Sequence, residues 1–398
     1  MVAPNAAVPP YALRPKERAF FTVDELGAHV AQTKEGATRM VAPTTSLRLV
    51  PDAEGLLLEV PTEGRALRIS YRVALQLCHR VGLNRRFLEQ VRPETAALVL
   101  NECLTRRTNP EEAVLLRADR TERALSVVSP RYAEAWDADV LDAIAEPLVR
   151  AGWIVPPYWS EPSRKDARPA KAHEVLPCFP GHSFTVREGD LIRPKGARSS
   201  DQDLHLFLVH PERVVDTADI MGRKVFRGLV LRHSETGDGP LKVEGFVFDY
   251  VCGNYMMYGS RQVFHLRLDH RSKGTADFIT EAQARMKAAN RKLELHGQRL
   301  PELARATAGI FLSEDPERRA REVEMMLLEA KVGRIFSRRF IAESIRRTQW
   351  GKYGAENTVW AVASGLTEQA QRVTSYAGRR AIYDHGAAAL LDWAAANA

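Results

Sequence analysis

Phe226–Gly259, FRGLVLRHSETGDGPLKVEGFVFDYVCGNYMMYG, is the stretch that decides the fold. Two apolar runs, Leu229–Leu231 and Leu241–Phe248, flank SETGDGP, whose Ser, Gly, Asp and Pro residues favour a turn. The pattern predicts strand, tight connection, strand. Beyond it Tyr250, Cys252, Asn254, Tyr255 and Tyr258 crowd together. Asn254 follows Gly253, a pair that tolerates a left-handed backbone.

Outward from this hairpin, segments 178–272 read as strand-rich. Leu204–His210 (LHLFLVH) and Gln262–His270 (QVFHLRLDH) alternate or run apolar. On the N-terminal side, residues 21–155 read as a mixed α/β part. A helix starts near Tyr71, with Ala74, Leu77, Cys78 and Val81 on one stripe. Another starts at Pro93, a favourable first helical residue, with Ala96, Leu100, Cys103 and Leu104 on its apolar face. Ala113–Arg117 and Ala124–Val128 form a second hairpin, and Asp137–Arg150 a helix. Residues 156–177 carry five prolines and read as a linker or insertion, and residues 1–20 as a flexible arm. From 273 to 398 the pattern is helical, with Asp315 and Pro316 opening one helix and another starting near Asn357. Hairpins followed by a run of helices predict an α+β fold, an antiparallel hairpin-built sheet flanked by helices with a helical C-terminal region.

Composition is that of an ordinary soluble protein: 398 residues, 45% hydrophobic and 27% charged. No run approaches the roughly 18 apolar residues of a membrane span. The N-terminus lacks the basic start and apolar centre of a signal peptide, and four scattered cysteines make no disulfide framework, so a cytoplasmic location is expected. The net charge of +7 is concentrated: residues 331–352 hold Lys331, Arg334, Arg338, Arg339, Arg346, Arg347 and Lys352 against Glu343 alone. A localised basic excess points to nucleic acid, and a solvated helix face is the bland alternative. In helical projection Arg338, Arg339 and Arg346 fall within an arc of about 100°. Trp350 and Tyr353 follow them, and with Tyr255 and Tyr258 they offer rings for stacking unpaired bases. Arg85, Arg86, Arg106 and Arg107 make a second basic group.

With these segments in order, the chain resembles the phage/plasmid-like family of uncharacterised mobile-element proteins. The resemblance is carried by the SETG turn (Ser234, Glu235, Gly237) and by Cys252 and Asn254. Leu115–Trp136, Leu204–Arg213 and Asn357–Gln371 support it. It implies a mobile-element setting in which DNA is the usual partner.

Other chemistry has weaker grounds. The histidine pairs His205/His210 and His265/His270 are spaced five apart, which on a strand sends the two side chains to opposite faces, so no metal site is expected. Cys252 lacks a cysteine-enzyme signature, and no phosphate-binding loop occurs, so no cofactor is expected. The expectation is a non-enzymatic protein that binds single-stranded DNA in recombination or replication, as a homo-oligomer and without a membrane. A metal-dependent nuclease or other DNA-modifying enzyme using Glu235, Asp238, Glu244 and Asp249 is the alternative, and a protein-binding anti-defence factor the third.

Overall fold

The computed structural model describes residues 17–397 apart from 54, 85, 107–112, 159, 161, 175–185, 201–202, 218–222, 250–253, 258–264, 271–273, 298–304, 308, 333–334, 349–356 and 371–380. The chain is α+β, as the hairpin pattern predicts, and its apolar residues form three main cores.

The chain opens with β1 (Arg18–Phe20) and α1 (Val23–Lys34). Thr22 caps α1 through Oγ1, accepting from the Glu25 N–H at 3.1 Å, while the Glu25 carboxylate accepts from Phe21 N at 2.8 Å. Four strands follow, β2 (Thr38–Pro43), β3 (Arg48–Asp52), β4 (Gly55–Val60) and β5 (Arg65–Ile69). Helices α2 (Tyr71–Arg80), α3 (Arg86–Gln90) and α4 (Pro93–Thr105) lead to the hairpin β6 (Ala113–Ala118) and β7 (Arg123–Val128). These strands make a six-stranded sheet in the order β2-β6-β7-β5-β4-β3. All its pairings are antiparallel except β5–β7, so this sheet is mixed rather than hairpin-built throughout. Leu58, Leu67, Val114 and Leu116 pack under Val73, Leu77, Ala96 and Leu100 of α2 and α4. The Asn101 side chain pins α4 to the edge strand, accepting from Leu49 N at 2.7 Å and donating to Leu49 O at 2.8 Å.

Next, α5 (Asp137–Val140) runs through a π turn at Leu141–Ala145 into α6 (Glu146–Arg150). The Pro-rich segment folds locally: β8 (Arg168–Pro169) pairs with β9 (Leu191–Ile192), and Arg168 grips Glu174. The remaining strands are β10 (Ala197–Ser199), β11 (Leu204–Thr217), β12 (Arg223–His233), β13 (Leu241–Asp249), β14 (Asn254–Met257) and β15 (His265–Leu268). With β1 they form a seven-stranded antiparallel sheet, β1-β10-β11-β12-β13-β14, with β15 also on β13. Arg18–Phe20, inside the segment read as an arm, is therefore an edge strand paired with Ala197–Ser199. Between Val209 and Val214 the β11–β12 register shifts, where Pro211 has no N–H to give the ladder.

Leu204, Leu206, Leu208, Leu229 and Leu231 of this sheet pack with Leu26 and Val30 of α1, Ile144 and Leu148 of α5–α6, and Phe278, Ala282 and Met286 of α7 (Thr275–Gly297). Helices from both ends of the sequence thus cover one sheet, so the cores do not follow boundaries at 155 or 273. The third core belongs to α8 (Pro316–Glu329), α9 (Arg338–Thr348), α10 (Val359–Ala370) and α11 (Ala381–Ala396). The Asp315 side chain caps α8, accepting from Arg318 N at 2.7 Å. Helices α10 and α11 also lie against β14, which seats the bundle on the edge of the large sheet.

Candidate functional site

The basic segment is built on α9. Ile341 and Ile345 enter the helical core, and Phe336 is buried 5.5 Å from the Phe340 ring, so these two phenylalanines serve packing. The opposite face presents Arg338, Arg339 and Arg346, all exposed, as their arc requires; Lys331 is exposed in the turn after α8. Two of these cations have acidic neighbours: Arg338 Nε lies 3.0 Å from Glu324 Oε1, and Arg346 lies 2.7 Å from Glu343. Glu324 comes from α8, outside the window whose charge the sequence reading counted. Exposed pairs of this kind are weak and screened by salt, so a polyanion competes for both arginines. Arg347 belongs to α9. Arg334, Trp350, Lys352, Tyr353, Tyr258 and Cys252 lie outside the described residues, as do Arg85 and Arg107. Tyr255 and Asn254 fall in β14, opposite Phe248 and Asp249. Arg86 is exposed, and Arg106 pairs with Glu102 one helical turn away.

The SETG turn has a different task. Gly237 takes φ +82°, which only a residue without Cβ adopts at low cost, and an added Cβ would lie 3.0 Å from Val128 Cγ1. Each residue of Ser234–Asp238 then reaches the N-terminal half of the chain. Tyr132 OH donates to Ser234 O at 3.0 Å, and Gln76 Nε2 donates to Thr236 O at 2.8 Å. Arg72 donates to Gly237 O at 2.6 Å and also to the Asp238 carboxylate. Glu235 Oε2 accepts the Asp137 N–H at 3.0 Å, which satisfies the N-terminus of α5. Gln76 Oε1 meanwhile accepts from Val127 N at 2.7 Å, so one amide ties the turn to β7. The turn is a latch between the two sheets.

Behind the latch sits a buried ionisable centre. His233 Nδ1 and Asp137 Oδ1 are 2.5 Å apart, and Asp137, His233, Glu235, His270 and Arg117 are all buried. His270 Nδ1 donates to Ala133 O at 2.8 Å, with its ring stacked 4.5 Å from both Tyr132 and Phe278. The Arg117 guanidinium lies 4.5 Å above the Trp136 ring and donates to Ser126 Oγ at 3.2 Å. Among the described residues its two terminal nitrogens, His233 Nε2 and His270 Nε2 have no hydrogen-bond partner. Burial pushes Asp137 up to about 8 and Glu235 up to about 7, the neighbouring carboxylates adding to it and Arg117 opposing it. Burial also lowers His233 and His270 to about 3.

Sequence reasoning singled out Ser234, Glu235 and Gly237 but missed Arg72, Gln76, Tyr132 and Asp137, which the turn meets. Of the carboxylates of the nuclease alternative, Glu235 binds the α5 N-terminus, Asp238 pairs with Arg72 and Glu244 is buried 3.9 Å from Arg232, while the Asp249 side chain lies outside the described residues. His205 and His210 part, His205 to Asp203 at 3.1 Å and His210 to Ala151 O at 3.1 Å, while the His265 side chain lies outside the described residues. Among the described residues no group of three His, Cys, Asp or Glu side chains is placed to hold a metal ion.

Beside the latch opens a cleft of about 780 Å³ along α2, with Gly237 at its inner wall. Its polar lining includes Arg72, His79 and Arg80; its apolar lining includes Leu75, Leu83 and Val127. Cys78 also lines it, with a buried thiol pushed up to about 11.

An α+β chain with two sheets joined by a latch, a buried ionisable centre behind it and a helical bundle bearing exposed arginines is the class these observations define. Comparison with family models, curated proteins and solved structures finds no match for this chain. Among the described residues no helix is long and apolar enough to cross a membrane.

Proposed function

We propose that this chain is a non-enzymatic nucleic-acid-binding protein, acting on single-stranded DNA in the recombination or replication of a phage, plasmid or prophage and working as a homo-oligomer. The observation that carries this reading is α9. Its apolar face is used up in the helical core, while Arg338, Arg339 and Arg346 stand exposed on the other face, next to a segment rich in further cations and aromatics. Long cations on one arc track a phosphate backbone, and their contacts release counterions.

A protein-binding role has one observation in its favour. Met325 and Leu328, three residues apart on α8, are 61% and 57% exposed, and Phe311 is 66% exposed. Fluorescence anisotropy with single- and double-stranded oligonucleotides over a salt series separates the readings. Salt-steep binding favouring single strands supports the first, and no binding at low salt leaves the apolar patch and a protein partner.

A further inference from the structure

We infer that the cleft beside the latch is a site for a phosphate-bearing nucleotide, taken either as the phosphorylated end of a strand or as a free mononucleotide. The inference rests on the nucleic-acid reading above and narrows it to one end of the ligand.

The cleft has the volume of a small-ligand site, about 780 Å³ within the usual range of roughly 300–1,000 Å³. Among the described residues no acidic side chain lines it, while Arg72, His79 and Arg80 do. Arg72 and Gln76 are held by the latch: Arg72 by Gly237 and Asp238, Gln76 by Thr236 and Val127. One wall is therefore fixed before any ligand arrives. His79 is exposed and Arg80 half-buried, both in the last turn of α2, where the helix carbonyls favour cations. Arg72 stands about 12 Å from Arg80 along the helix axis, eight residues at 1.5 Å each, with Leu75 between them and Leu83 and Val127 adding apolar wall. The Arg80 end, joined to the apolar wall of Leu75, Leu83 and Val127, matches a phosphate joined to a sugar and base. A terminal phosphate monoester carries about −1.5 to −2 charges at neutral pH, more than the single charge of a backbone phosphodiester. The cleft accordingly prefers ends, whereas α9 prefers length.

The test uses the full chain with single-stranded oligonucleotides of one sequence bearing a 5′-phosphate, a 3′-phosphate or only hydroxyl ends, and with thymidine monophosphate against thymidine. One phosphorylated end binds about tenfold tighter than the hydroxyl strand, the gain of a single charge-assisted contact pair. His79→Ala and Arg80→Gln each erase most of that preference; His79 is exposed, so its variant keeps the fold. Replacing Arg338 and Arg339 by Ala weakens all strands alike and leaves the preference intact. Saturable binding of the monophosphate that His79→Ala abolishes, without discrimination between strand ends, identifies the free nucleotide as the ligand. Equal affinity for every end together with no monophosphate binding, or a preference that survives both cleft variants, overturns the cleft assignment. In that case salt-steep binding of the strands keeps the broader reading, and no binding of any strand or nucleotide removes both.

Discussion

His233 Nδ1 and Asp137 Oδ1 meet at 2.5 Å, joining the last residue of β12 to the first residue of α5 across 96 positions of sequence. The same aspartate gives its backbone N–H to Glu235, so one residue of the N-terminal half holds both sides of the turn's entry. The contact is buried on both partners, and it ties α5 to the large sheet that this helix covers.

Removing that contact is expected to cost stability sharply. Asp137→Ala leaves His233 Nδ1 without its partner inside the protein, a loss of about 1–3 kcal/mol for a buried polar group left unpaired. The double variant Asp137→Ala/His233→Ala loses less than the sum of the two single losses, because the pair is coupled. Urea titration of the four proteins measures this, and additive losses would show that the pair is not coupled.

The buried centre makes stability depend on pH in a stated direction. Asp137 and Glu235 are raised to about 8 and 7 from 3.8 and 4.5. Between those values the folded chain keeps protons that the unfolded chain has released, so their contribution is full at low pH and is lost as pH rises through the folded values. His233 and His270 are lowered to about 3 from 6.5, so their contribution is full above 6.5 and is lost as pH falls towards 3. The two trends oppose each other below 6.5, and only the carboxylate trend acts between 6.5 and 8. The Tm is therefore expected to fall over that upper window. Glu235→Gln, which keeps an acceptor for the Asp137 N–H, should flatten the fall. An unchanged slope in this variant would take Glu235 out of the explanation.

Gly237→Ala tests the latch itself. The left-handed backbone costs a side-chain-bearing residue about 1–2 kcal/mol. The 3.0 Å approach to Val128 Cγ1 adds to it. Chemical denaturation should show a loss of at least that size, and limited proteolysis should cut faster around the latch. A variant as stable as the parent would mean that the turn rearranges freely.

The hairpin around SETGDGP was legible because strand alternation and turn chemistry are local properties. The helix at Asp137–Arg150 was legible as an apolar stripe, yet nothing in a stripe says which sheet it will cover. It covers the large sheet, across the boundary that the proline-rich stretch suggested. Cys103 falls on the α4 stripe but is only half-buried, since a helical wheel gives direction and not depth. The helix Ala381–Ala396 was not singled out: its contact face mixes Leu390, Leu391 and Trp393 with alanines and Gly386, which blurs the stripe. A Cβ on Gly386 would stand 2.5 Å from a Phe336 ring carbon. Of the centre behind the latch, only Glu235 carried a local signal. Arg117, Asp137, His233 and His270 come from four segments, and their meeting is a property of the assembled sheets.

The account's central claim is that α9 carries a phosphate-tracking surface. The most direct test compares the parent with Arg338→Ala/Arg339→Ala/Arg346→Ala in single-strand binding from low to moderate salt. Each lost phosphate contact should make the slope of log K against log salt shallower by about 0.7, so three contacts give about 2. The Tm should barely move, because all three side chains are exposed. Weaker binding with a flatter slope at unchanged Tm is the predicted result; unchanged affinity and slope in a folded variant would contradict it.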